Sequence, residues 1–241
     1  MGLAHHISRL IRAGRQLAEI QTGMPESLPS IQEVLDEASQ AASQPGIPWP
    51  RERWIESFPE HRQVFDSLPD RVSREDVRSA CAASPTSPAG AVEAFLAAMA
   101  WGHGESGYGV YRTRQILDSA GADAGPRLAA ARSAAEDRGA LAGYEQLGGA
   151  SRMHGLGPAF GTKFLFFQNR EALILDDLLA TRWFRGVTGV NLRPTVWNTN
   201  LYETYLTAMH DWAADANVEP ASIEQAAFQL VSDGRGNQWA R

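Results

Sequence analysis

Apolar positions along this chain recur mostly at three- and four-residue intervals, in short blocks separated by glycine and proline, which predicts a succession of helices. Residues 3 to 22 form a first helix with a basic stripe, Arg9, Arg12 and Arg15 among its residues. Ser30-Ile-Gln-Glu33 has the form of a capping box and opens a second helix through about residue 42. From 44 to 69, Pro45, Pro48, Pro50, Pro59 and Pro69 break the pattern into an irregular arm that Trp49 and Trp54 are expected to pin to a core. A capped helix follows from 73 to 83. The best candidate for a buried helix is 87 to 101, which begins Ser-Pro and continues almost without a polar residue. Glycines then crowd the stretch Trp101-Gly-His-Gly-Glu-Ser-Gly-Tyr-Gly109 before a helix restarts at Val110. Two small helices are expected between 125 and 148 and another over 158 to 168. The one β-like fragment lies near Val187 to Val190. A long helix carries Leu201, Tyr205, Met209 and Trp212 on one stripe, and a last one holds Ile223 to Val231 ahead of a polar tail anchored at most by Trp239.

Composition sharpens this to an all-α protein: 44% of residues are apolar, only 9% aromatic, and alanine runs are frequent. The 241 residues suit one compact unit, divided between an N-terminal helical arm and lobe (1–85) and a core (86–241). A single cysteine, Cys81, excludes an internal disulfide and a cysteine-held zinc or iron–sulfur centre. The six histidines have no metal-ligand spacing, and His5 and His6 read as an exposed terminal pair. No metal or organic cofactor is expected. Nor is a membrane span, since no run of about 18 apolar residues occurs. With no cleavable apolar leader, the expected location is cytoplasmic.

Candidate chemistry centres on one residue. Lys163 is the only lysine among 22 basic side chains, and it sits within Phe160-Gly-Thr-Lys-Phe-Leu-Phe-Phe167. Arginine stays protonated, whereas a lysine wrapped in apolar groups can lose its proton and act as a nucleophile. Gly155-Leu-Gly157 reads as a tight turn with positive φ open to both glycines, and Pro158 suits the first turn of the next helix. On that helix Lys163 shares a face with Ala159 and Phe167 and should be at least half buried. Asp176 and Asp177 interrupt the next apolar run, one expected to face inward and the other out. A second reading stands beside this one: an ordinary turn between packed helices, a snorkelling lysine and a structural aspartate. A phosphate-cradling loop is excluded by Phe164, which replaces the required Ser or Thr, and by the lack of a preceding strand.

The glycine-rich loop supplies a second group, because Trp101, His103 and Tyr108 are suited to stack on or hydrogen bond a nucleobase, or equally to fill a core. Arg112 and Arg114 are candidates to reach phosphates, the alternative being ordinary surface arginines. Arg182 closes a basic helix end that either faces DNA or complements its own helix dipole.

The order of helix, Gly155-Leu-Gly157-Pro158 turn, helix and aspartate-ended apolar strip resembles the helix-hairpin-helix DNA glycosylases, and within them the 8-oxoguanine branch. The resemblance covers roughly residues 90 to 231. It implies a two-lobed all-α fold and a DNA glycosylase with AP lyase activity on an oxidised or modified purine such as 8-oxoguanine. The amides of Gly155, Leu156 and Gly157 would hold a DNA phosphate, and Lys163 would attack the sugar. Asp176, with Asp177 in reserve, would stabilise the developing charge; the interval from Gly157 to Asp176, 19 residues (157 to 176), is close to the family's. Phe228 would stack on the extruded base with Gln225 or Gln229 reading its edge, the alternative for Phe228 being plain core. One departure stands out: the family lysine falls two residues after the second turn glycine, here Ala159, and Lys163 comes one helical turn later, about 6 Å along the axis. That departure leaves a catalytically inactive DNA-binding or partner-recruiting module as the alternative. The expected partner is damaged or modified DNA, bound by a monomer associated with the nucleoid. A net charge of −6 runs against that, unless arginines such as those at 112–114 and 182–193 form a basic face.

Overall fold

The computed structural model describes residues 28–40, 45–150 and 152–233, and these are overwhelmingly helical. The expected N-terminal helix with its arginines, the His5-His6 pair and Trp239 lie outside the described residues. Among the described residues the only strands are β1 (Ile47–Pro48) and β2 (Arg71–Val72), paired antiparallel with Ile47 opposite Val72. The all-α expectation therefore holds. The backbone divides into two units, one of residues 43–174 and one joining the stretch up to 42 with 175–238. The boundary at 85 read from the sequence falls inside the first of these.

In the larger unit, β1 is followed by α2 (Arg51–Ser57) and α3 (Arg62–Ser67), then β2, α4 (Arg74–Ala83), α5 (Pro88–His103), α6 (Gly107–Ala120), α7 (Ala124–Arg138), α8 (Ala140–Gly148) and α9 (Pro158–Gln168). Its axis is α5. Pro88 occupies the first helical turn, and the Ser87 hydroxyl accepts the Gly90 amide at 3.2 Å. Every residue from Ala94 to Trp101 is buried, so this helix has no polar face. Its alanines let backbones approach closely, and α4, α7 and α9 pack around it. At α4 the Ser73 hydroxyl and the Asp76 carboxylate cap each other's backbone amides, as the pattern predicts.

The proline-rich arm is more regular than expected. Pro50 caps α2 and Pro59 opens a 3-10 turn before α3, because proline at a helix start removes only an amide that had no partner there. Its tryptophans bind the arm to itself: Trp49 donates to the Pro69 carbonyl at 2.8 Å and Trp54 lies 5.8 Å from Phe65, both partners lying within the arm.

The second unit contains α1 (Ile31–Gln40), a π-helical turn (Leu179–Phe184) that runs into α10 (Arg185–Thr188), α11 (Thr199–Ala216) and α12 (Pro220–Asp233). The capping box at α1 is present, with the Ser30 amide donating to Glu33 at 2.7 Å and the Glu33 amide to the Ser30 hydroxyl at 3.2 Å. Tyr205, Met209 and Trp212 on α11 are buried as one stripe, Leu201 being half-buried. Trp183 meets Trp212 edge-on at 5.7 Å and donates to the Pro29 carbonyl at 3.0 Å. Two expectations are corrected here. Val187 belongs to α10, because the helix entered after Asp176 overrides the local β preference and stops only at Gly189, with φ +74°. The last helix also runs past Val231, to Asp233.

Candidate functional site

The turn between α8 and α9 is anchored from below by Met153 and Leu156, both buried. Leu156 donates its amide to the Met153 carbonyl at 3.2 Å. From the side, α6 braces it: Arg112 Nη2 donates to the Gly155 carbonyl at 2.8 Å and Ser119 Oγ to the His154 carbonyl at 3.1 Å. Gly155 has φ +84°, a conformation that glycine adopts without strain. Gly157 does not share it. Its φ is −94° and ψ 169°, because it is the extended N-cap of α9, so the expectation of positive φ at both glycines fails for the second. A Cβ added at Gly157 would meet nothing within 4 Å, and no side chain caps this end of α9. With no side-chain cap at this end of α9, the partial positive charge of the helix N-terminus favours an anion.

Five residues into that helix stands Lys163, buried with 8% of its surface exposed. Helical side chains slope toward the N-terminus, and Nζ lies 5.1 Å from the centre of the Phe160 ring, one turn back. The His103 imidazole stacks on the same ring, with centroids 4.3 Å apart and planes 23° apart. Burial, then the nearby charges of Lys163 and Arg112, push the His103 pKa down to about 4. Its Nε2 is buried without a hydrogen-bond partner. Lys163, His103 and Phe160 therefore form one cluster where the end of α5 crosses the start of α9.

The other expected residues are placed differently. Trp101 is a packed ring, edge-on to Phe167 at 5.3 Å and covered by the Arg74 guanidinium at 5.4 Å. Tyr108 is 60% exposed at the start of α6, 6.1 Å from the ring of Tyr111. Arg112 is committed in part to the Gly155 carbonyl. In the second unit Asp176 is half-buried and caps the helix that follows: its carboxylate accepts the Leu178 amide and its carbonyl the Ala180 amide, both at 2.9 Å. Asp177 and Arg182 are exposed, while Gln225, Phe228 and Gln229 are half-buried on α12. Sequence reasoning missed the shared platform of Phe160 and the bracing by Ser119, since neither leaves a spacing signal.

A family model described as "Putative 8-oxoguanine DNA glycosylase OGG-like protein" matches residues 40–228. No curated protein and no solved structure matches the chain. The matched span takes in the turn, Lys163 and both aspartates and reaches into both units, and the chain belongs to this OGG-like 8-oxoguanine DNA glycosylase family.

Proposed function

We propose that the protein is a DNA glycosylase with AP lyase activity, excising an oxidised or modified purine such as 8-oxoguanine through Lys163. The observation that carries this reading is that the chain's only lysine is buried among aromatic rings on the helix that starts at an uncapped Gly-Leu-Gly turn. Lys163 stands four residues, about 6 Å along the axis, beyond Ala159. A lysine at either position slopes toward the N-terminus, so the offset persists at Nζ and is the observation that favours the inactive alternative, while the uniqueness of Lys163 opposes it.

In the proposed reaction the amides of Gly155 and Gly157, with Arg112 and Arg182, hold backbone phosphates while the damaged nucleotide leaves the stack, the expected Leu156 amide being taken instead by the Met153 carbonyl. His103, Tyr108, Gln225, Phe228 and Gln229 are the candidate contacts to its base; Trp101, buried against Phe167 and Arg74, is not among them. The nitrogen lone pair of the Lys163 amine forms a bond to sugar C1′ as the bond from C1′ to the base breaks, and the base leaves with that electron pair and takes up a proton. Ring opening yields the imine. Loss of a C2′ proton then expels the 3′ phosphate by β-elimination. Asp176, or Asp177, stabilises positive charge on the sugar.

Borohydride reduction with duplexes carrying 8-oxoguanine and other modified purines tests the reading. A covalent adduct that Lys163→Ala cannot form is the expected outcome. DNA binding with neither adduct nor base release across the panel would leave the inactive module in its place.

A further inference from the structure

The side chain of Lys163 crosses the last turn of α5 at the one residue there that has no side chain. A Cβ added at Gly102 would stand 2.8 Å from Lys163 Cδ and 3.5 Å from Cε, and it would meet no other atom within 4 Å. Gly102 has no positive φ and lies in the last turn of a regular helix, where glycine is less favourable than alanine. Neither backbone conformation nor any second neighbour calls for glycine at this position. What its bare Cα leaves open is a groove as wide as one methylene chain, and the lysine stem fills it.

We propose that Gly102 is a positioning residue for the Lys163 amine: by lacking a side chain it lets the lysine stem lie flat across α5 and so sets Nζ beside the Phe160 ring. A methyl at 102, 2.8 Å from Cδ, requires the stem to shift, and because Lys163 is buried where α9 packs on α5, that shift carries Nζ away from the Phe160 ring. The inference deepens the proposed lysine chemistry and rests on it for its catalytic consequence, but the geometric claim concerns the side chain alone.

Because Lys163 is the only lysine, incorporation of lysine labelled with ¹³C at Cε gives a single side-chain signal. In the wild-type protein its protons are expected upfield of their position in the denatured chain, shifted by the Phe160 ring. In Gly102→Ala that shift should collapse toward the denatured value while the rest of the spectrum is retained. An unchanged lysine signal in folded Gly102→Ala overturns the inference, whatever the enzyme does. Should Gly102→Ala fail to fold, the double variant with Lys163→Ala decides: recovery of folding supports the clash with the lysine, and continued failure overturns it. On lesion DNA, borohydride trapping by Gly102→Ala should fall by about a hundredfold with DNA retention unchanged, as expected of a nucleophile misplaced by about 1 Å. A wild-type protein that traps no adduct refutes the lysine chemistry, and a Gly102→Ala protein that traps as well as wild type refutes the positioning role.

Discussion

The imidazole of His103 meets the face of Phe160 rather than water, and with its pKa pushed to about 4 it remains neutral in the folded protein near pH 7. Released by unfolding, the same ring takes up a proton below about pH 6.5. Between those two values the unfolded chain binds the extra proton, so stability falls as pH drops from about 6.5 to about 4 and this group adds no further loss below. The loss is of order 3 kcal/mol at most, converted from the shift at about 1.4 kcal/mol per pH unit. Urea unfolding at pH 7 and 4.5 should show it, and His103→Phe, which keeps a ring against Phe160, should remove most of that difference. Cys81 offers a simpler check. Burial raises its thiol to about 11, so a thiol reagent at pH 8 should label the protein only when it unfolds. At this scale the lysine was legible because its rarity in an arginine-rich chain is itself a signal. Gly102 was not, since its role depends on which side chain of a helix some 60 residues later lies across it.

Helices were the most readable elements, for physical reasons that differ from one to the next. Local hydrogen bonding by Ser30 and Ser73 announces α1 and α4, and Ser73→Ala should lower stability by about 1 kcal/mol in denaturant titration through loss of the cap. For α5 the signal was an unbroken apolar run that only a buried helix or strand can absorb, and its length chose the helix. The turn before α9 was recognised from its glycines, yet only one of them adopts the left-handed conformation. Gly155→Ala places a Cβ at φ +84° and should destabilise the protein by about 1–2 kcal/mol. It should also loosen the hydrogen bond from Arg112 to the carbonyl of that residue, seen as faster amide exchange at Leu156. The two-residue strands and the π-helical turn at Leu179–Phe184 left no local trace. A ladder of two residues is set by what packs beneath it, here the buried Trp49 and Val72, and a π turn by side chains accommodated far along the sequence.

For the molecule as a whole, the turn and the aspartate segment point to the family, and the match over residues 40–228 bears that out. The net charge of −6 was the observation that fitted least. If DNA is the substrate, attraction to it is confined to local groups such as the turn amides and nearby arginines, so retention on duplex DNA should weaken steeply with added salt. Arg112→Ala should reduce that salt slope by about one phosphate contact if its guanidinium also reaches DNA, and leave the slope alone if it serves only Gly155. Titrating a labelled duplex at several ionic strengths separates the two. What the pattern could not disclose was chain connectivity: residues at the two ends of the described chain share a core, with Val34 and Leu35 of α1 buried in the unit that holds Ile223 and Ala227 of α12. Periodicity reports which face of a helix is greasy and is silent on the face that receives it.

That shared core has a consequence on the ribosome. The helix made earliest among the described residues is housed last: α1 leaves the exit tunnel with its apolar stripe bare and must wait for α12, which follows some 190 residues later by the interval from 31 to 220. At usual elongation rates the delay is roughly 10–40 s, during which residues 43–174 have everything they need to fold. A nascent chain stalled before residue 220 should therefore carry a finished lysine-bearing helical body beside an unclaimed sticky segment, which is the moment at which a chaperone has the most to gain by binding.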